Sequence, residues 1–270
     1  MAKGSRKKEA KYYGNHLLGD YLSVRQAQML LKLHNVTEGQ GGIDALRNLI
    51  YELTEEQVSQ IIQSKDPDVI PEEDRKEGTL SDLQTVGVSF MYVSKRMVLG
   101  DSVGMGKTVQ VSALIRYLTQ EYAKLGYSFN VLYLTEKNLI KQSRDELIKF
   151  SGLYFEQLYG EKDKIAKFAN EYEVGSVNVC GAHSLLSHAD FHKWCKDYEA
   201  YYGDGSFPFD MIVVDESGKI LSNEKNTIYK SGKLLADKAQ YCILMNAGSF
   251  ENHLDKFRAQ LSFVDDTFLF

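Results

Sequence analysis

Beyond residue 95, short apolar runs alternate with stretches whose apolar positions recur every three or four residues. MVLG (97–100) precedes KTVQVSALIRYLTQEYAKL (107–125), and NVLYLT (130–135) precedes NLIKQSRDELIKF (138–150). SVNVC (176–180), MIVVDE (211–216) and YCILMN (241–246) are further apolar runs. DFHKWCKDYEAYY (190–202), IYKSGKLLADKA (228–239) and ENHLDKFRAQLSF (251–263) keep the helical rhythm. Period two or continuous burial marks strands, and the longer period marks amphipathic helices. Their alternation predicts an α/β domain whose parallel sheet carries helices on both faces, joined by right-handed crossovers.

Ahead of this region the pattern is helical only. Residues 20–36 (DYLSVRQAQMLLKLHNV) predict one helix, and GGIDALRNLIYELTEEQVSQIIQ (41–63) predicts two more helical stretches. Thr54 and Gln57 have capping-box spacing at the start of the last. SKDPDVIPEEDRKEG (64–78) holds two of the chain's three prolines and a run of charges, so it predicts a linker. The expected organisation is a small all-helical unit with its linker over residues 1–75, then the α/β domain over 76–270.

Composition narrows the class. With 43% hydrophobic and 26% charged residues the chain is of the folded globular type, and no apolar run reaches the length that spans a bilayer. Three widely spaced cysteines predict free thiols, and with no apolar signal region a cytoplasmic site is expected, or the host-cell cytoplasm for a viral chain. The net charge of −5 leaves the partner open, because a local basic face can coexist with it. The basic opening MAKGSRKKEAK reads as a solvated tail.

Two motifs carry chemistry. GDSVGMGKT (100–108) lies between a predicted strand and a helix opening at Lys107. There, consecutive N–H groups and the positive end of the helix converge on one anion. Gly104 and Gly106 let the backbone approach phosphate, Lys107 suits the β and γ phosphates, and the Thr108 hydroxyl suits magnesium. Met105 and Val109 complete the expected nucleotide-binding set. Asp101 stands where the strict motif has glycine. In MIVVDES (211–217), an apolar strand ends in two acids, with Asp215 expected on the metal side and Glu216 expected to orient the attacking water. Thr135, Lys137, Asn138 and Lys141, after a strand and at a helix start, could hold a nucleic-acid phosphate but read on their own as an ordinary helix cap. His188, His192 and Cys195 share a helical face and read as surface positions rather than a zinc site. Tyr201 and Tyr202 read as packing or surface aromatics rather than a base-stacking platform.

Together these segments resemble superfamily 2 helicases and translocases of the Swi/Snf type, over roughly residues 80–270 and in the family's order. Asp101 matches the family's own form of the phosphate loop. LSDLQTVGVSFM (80–91) resembles the segment whose glutamine, here Gln84, reads adenine. VLYLTEKNLIKQSRDELIKF (131–150) and VNVCGAHSLL (177–186) resemble the DNA-backbone segments, the second implying contacts from His183 and Ser184. DESGKILSN (215–223) and LMNAGSFEN (244–252) resemble the acidic and coupling motifs. The resemblance implies a RecA-like lobe that uses ATP and magnesium on DNA, most simply duplex. It also implies a second RecA-like lobe, in a longer chain or in trans, that supplies an arginine. The expectation is therefore a lobe that binds Mg-ATP and hydrolyses it slowly alone, with its N-terminal helices open to a protein partner.

The chain departs from the family pattern at Gly218, usually histidine, at Asn246, Ala247, Gly248 and Ser249, usually T-G-T-P, and at Ser143, usually tryptophan. The first two departures weaken the implied link between the ATP and DNA sites. A non-catalytic nucleotide-binding or regulatory module is the alternative reading. Another phosphate-loop enzyme, such as a kinase or packaging motor, fits less well with the ordered segments after Lys107.

Overall fold

The computed structural model describes residues 48–172, 177–203, 206–247 and 254–265. The helix expected over 20–36, the basic opening, and Gly248 and Ser249 lie outside these residues. The described chain begins with β1 (Ile50–Tyr51), α1 (Glu55–Ser64) and β2 (Glu77–Gly78). Six strands and the helices between them follow: α2 (Asp82–Ser94), β3 (Arg96–Leu99), α3 (Lys107–Lys124), β4 (Val131–Thr135) and α4 (Ile140–Ser151). Next come β5 (Phe155–Leu158), α5 (Lys162–Glu171), β6 (Asn178–Ala182), α6 (Ala189–Tyr202) and β7 (Met211–Val214). The short α7 (Ser217–Ile220), α8 (Thr227–Ala236), β8 (Tyr241–Met245) and α9 (Leu254–Val264) complete it.

The sheet order is β3-β8-β7-β4-β6-β5, and every pairing is parallel. This is the expected RecA-like α/β layer. Alternation along the strands splits the core in two. Val131, Tyr133, Met211 and Val213 face the side covered by α2, α3 and α4, whereas Leu132, Leu134, Ile212 and Val214 face α5, α6, α8 and α9. No helix among the described residues is long and apolar enough to cross a membrane.

The segment before α2 differs from its sequence pattern. Ile50 and Tyr51, read as helical, pair antiparallel with Gly78 and Glu77. Two β-favouring residues at the end of an amphipathic run find a strand partner, and tertiary pairing overrides the local period. Within the expected linker, Pro67–Val69 and Glu72–Asp74 form 3₁₀ turns. Arg75 fastens them, donating from Nε to Ile70 O at 2.9 Å and from Nη2 to Pro67 O at 2.6 Å. Ile50, Tyr51, Leu53, Ile61 and Ile70 are buried in the same core as α3 and α4. The Thr54–Gln57 capping box forms as its spacing predicts.

Because all six strands run the same way, their carboxyl ends share one edge. The phosphate loop leaves β3, Thr135 ends β4, His183 follows β6, Asp215 follows β7 and Asn246 follows β8. Ligands of open parallel sheets bind at this edge.

Candidate nucleotide and nucleic-acid site

The phosphate loop is held from beneath by two glutamines. Gln110, 1% exposed, donates from Nε2 to Asp101 Oδ2 at 2.8 Å, which gives the aspartate at this position a physical role. Gly87 makes this possible, since a Cβ there would lie 1.9 Å from Gln110 Oε1. Gln84 caps α2 together with Ser81, and its Nε2 also reaches Met105 O at 3.4 Å. Gly104 and Gly106 have φ of 84° and 73°, values that favour glycine. A Cβ on Gly106 would come within 2.5 Å of Gln84 Nε2.

Lys107 Nζ donates to the loop's own carbonyls, Asp101 O at 2.8 Å and Ser102 O at 3.3 Å. Phosphate oxygens make stronger, charge-assisted partners for an ammonium group than neutral carbonyls do. The loop thus keeps its lysine at the cradle, on acceptors that an anion outcompetes. Val109 and Thr108 follow in the first turn of α3.

Across the edge, Asp215 is largely buried, and burial raises its pKa above the ordinary carboxylate value. Its Oδ1 accepts from Glu216 N at 2.9 Å, and its Oδ2 accepts from the Tyr133 hydroxyl at 3.3 Å. Tyr133 is fully buried in β4, so its hydroxyl reaches Asp215, one of the oxygen donors expected at magnesium, from within the core. The sequence reading missed this tyrosine, because within VLYLT it looks like another core residue. Glu216 adopts φ 49° in the left-handed region, a conformation costing a non-glycine residue about 1–2 kcal/mol. Such strain clusters at functional sites. Lys219 ties Glu216 (3.8 Å) to Glu136 (2.5 Å), the residue that opens the turn after β4.

These residues fit a magnesium–nucleotide complex. The glycine cradle is open, Lys107 is releasable, and the hydroxyl of Thr108 and the carboxylate of Asp215 are the hard oxygen donors that magnesium takes. A divalent cation beside Asp215 would supply the positive charge that its burial calls for.

The residues expected at nucleic acid divide into two groups. Lys137, Asn138, Lys141 and Ser184 are exposed on the edge, with Lys137 paired to Glu161 at 2.7 Å. Thr135 is fully buried, and its hydroxyl has no partner among the described residues. His183 is 8% exposed, and its Nε2 lies 2.7 Å from Asp215 O. Burial lowers its pKa, so the ring is neutral with its proton on Nε2, bracing the acidic turn. Elsewhere, His192 Nε2 bonds Leu186 O at 2.8 Å, whereas Cys195 is buried in the core, apart from any solvent-facing set. Tyr201 and Tyr202 are exposed and pack edge to face.

Two of the departures from the family pattern meet in space. A Cβ on Gly218 would lie 2.8 Å from the Asn246 amide, so the missing side chain at 218 and the asparagine at 246 accommodate each other. Beside them, the buried Ser217 Oγ sits 3.1 Å from Met245 O and 3.0 Å from Gln260 Oε1.

Residues 83–268 match the SNF2-related domain. The chain belongs to this family. It is 25% identical over 177 residues to Protein CHROMATIN REMODELING 4 of Arabidopsis thaliana, covering 64% of this chain and 8% of that protein. To the uncharacterized ATP-dependent helicase YqhH of Bacillus subtilis it is 26% identical over 162 residues, covering 60% and 24%. Among solved structures, the Sulfolobus solfataricus SWI2/SNF2 ATPase core in complex with dsDNA superposes with a TM-score of 0.52 at 19% identity, covering 69% of this chain and 36% of that one. This likeness supports the RecA-like fold. The chain spans a quarter or less of these curated relatives.

The Tyr133 hydroxyl gives a direct test of the metal side. Tyr133→Phe keeps the ring but removes a hydrogen bond to a charged carboxylate, worth about 1.5 kcal/mol or roughly tenfold. Without it Asp215 binds its proton more tightly. The magnesium concentration giving half-maximal nucleotide binding at fixed ATP is expected to rise severalfold, more at pH 6 than at pH 8, with the melting temperature little changed. An unchanged midpoint at both pH values would leave the hydroxyl only a packing role.

Proposed function

We propose that residues 83–268 form the ATP-binding lobe of a DNA-dependent ATPase that moves on or remodels DNA. The observation that supports this reading best is the meeting of Lys107, Thr108, Asp215 and Glu216 at one sheet edge. In it, the loop N–H groups and Lys107 hold the β and γ phosphates, and Gln84 meets adenine. Thr108 and Asp215 hold magnesium, which when bound draws charge from the phosphate oxygens. Glu216 orients the attacking water and accepts its proton. Lys137, Asn138, Lys141 and Ser184, exposed on the same edge, take the DNA backbone. The second RecA-like lobe, in a longer chain or in trans, completes the site with an arginine. Residues 1–75 provide an accessory unit that a protein partner can engage, and the cytoplasm is the site of action.

DNA as partner draws support from the duplex named in the Sulfolobus solfataricus complex and from the exposed lysines. The test is duplex binding across a salt series. Lys137→Ala and Lys141→Ala are each expected to lower affinity without sequence preference and to reduce the logarithmic salt slope by about 1. Salt-independent binding, or wild-type slopes in both variants, would remove this surface from the reading. The Gly218–Asn246 arrangement favours one alternative, a lobe that binds nucleotide without transmitting it to DNA.

A further inference from the structure

Arg116 lies on α3, nine residues beyond Lys107 and so roughly 14 Å along the helix from the phosphate loop. It is 6% exposed, yet no hydrogen bond or ion pair joins its guanidinium to another described residue, and its Nη1 is sealed with no acceptor. Its close partner is the Tyr51 ring, whose centroid is 3.4 Å from Cζ. A cation–π contact offsets only part of the cost of burying an ion. Arginine cannot escape by losing its proton. A buried guanidinium therefore calls for an anion.

The nearby acids do not serve. Glu77, the carboxylate acting most strongly on Arg116 through space, is exposed and forms no ion pair with it, Glu72 accepts from the Tyr51 hydroxyl at 3.1 Å, and Asp68, almost wholly exposed, sits 3.9 Å from Arg75. One turn along α3, Thr119 also has a buried hydroxyl without a partner. Arg116 and Thr119 line one wall of a cavity of about 350 Å³, whose apolar side is made by Ile70, Pro71 and Leu153 and which Arg75, Asp68 and Glu72 also line. That volume is at the lower end for small-molecule sites.

We propose that this cavity, between α3 and the turns at 67–74, binds a small molecule carrying an oxyanion, phosphate or carboxylate, which pairs with Arg116. Thr119 turns its hydroxyl to the same anion, and the apolar wall takes the body of the ligand. The cavity is separate from the phosphate loop and binds whether or not nucleotide is present. A ligand here would clamp the segment holding Tyr51 and Ile70 onto α3.

Inorganic phosphate and acetate are the probes, each against sodium chloride at equal ionic strength, with the full chain carrying Lys107→Ala to silence the phosphate loop. The melting temperature is expected to rise with dose for at least one oxyanion, as a native-state ligand requires. Phosphate or acetate alone giving the rise names the group. Adding Arg116→Leu is expected to abolish the rise without lowering the melting temperature in chloride, because it removes an unpaired buried charge. Should that variant fail to fold, Thr119→Val is expected to weaken the response at least threefold. No rise with either anion, or an equal rise in the Arg116 or Thr119 variant, overturns the proposal. Neither result bears on nucleotide binding at Lys107, which is measured in the wild type.

Discussion

Lys107→Ala is expected to weaken Mg-ATP binding by about a hundredfold or more, near 3 kcal/mol. The size follows from what the side chain does. Charge-assisted bonds to phosphate are roughly twice as strong as neutral ones, and an ammonium within the cradle faces two phosphates at once. Before binding, its Nζ rests on Asp101 O and Ser102 O, partners it gives up at small cost. Its removal leaves those carbonyls exposed to water, so the fold is expected to melt within a few degrees of wild type. Calorimetry of both proteins checks this, and wild-type affinity in the variant would mean that phosphate sits elsewhere.

The second large effect is kinetic. Glu216→Gln keeps the shape of the acidic turn but removes the proton acceptor, and general-base catalysis typically contributes 10²–10⁴-fold. Turnover is expected to fall about a thousandfold while Mg-ATP affinity stays within threefold of wild type. Asp215→Asn should do the reverse in emphasis, losing the magnesium dependence of binding first. Single-turnover hydrolysis with enzyme in excess, with and without duplex DNA, separates the two. Equal rates in wild type and Glu216→Gln would assign water activation to another group.

The sheet was legible because its strands are apolar runs of four or five residues set between long amphipathic helices, from Lys107–Lys124 to Thr227–Ala236. The phosphate loop and acidic turn were legible because each needs a particular residue at a particular spacing. Harder to read were β5, where FEQL is half polar, and the strand at Ile50–Tyr51, whose partner lies far along the chain at Glu77–Gly78. Local periodicity holds no record of such a partner. The same reason hides Tyr133, Gln110 and Arg116. Each looks ordinary in its own element, and its role is fixed by a group brought from another part of the chain. His183 shows the converse, since its segment is one that resembles a DNA contact while its ring braces Asp215 from within.

On the proposed reading, Gly218 and Asn246 stand where the ATP and DNA halves of the site would communicate. Their mutual fit shows that the altered positions are compatible with the fold, so the question they raise concerns energy transfer rather than stability. Coupling between two ligands is reciprocal, and it can be measured from either side.

On the proposed function, one edge of this sheet binds Mg-ATP and DNA in linked fashion. The measurement that tests it most directly is the Mg-ATP dissociation constant of the full chain with and without saturating duplex DNA at low salt. Saturable one-to-one binding that needs magnesium and tightens at least fivefold, about 1 kcal/mol of coupling, when duplex is present is the expected result. Binding that is absent, or unchanged by duplex, would contradict it.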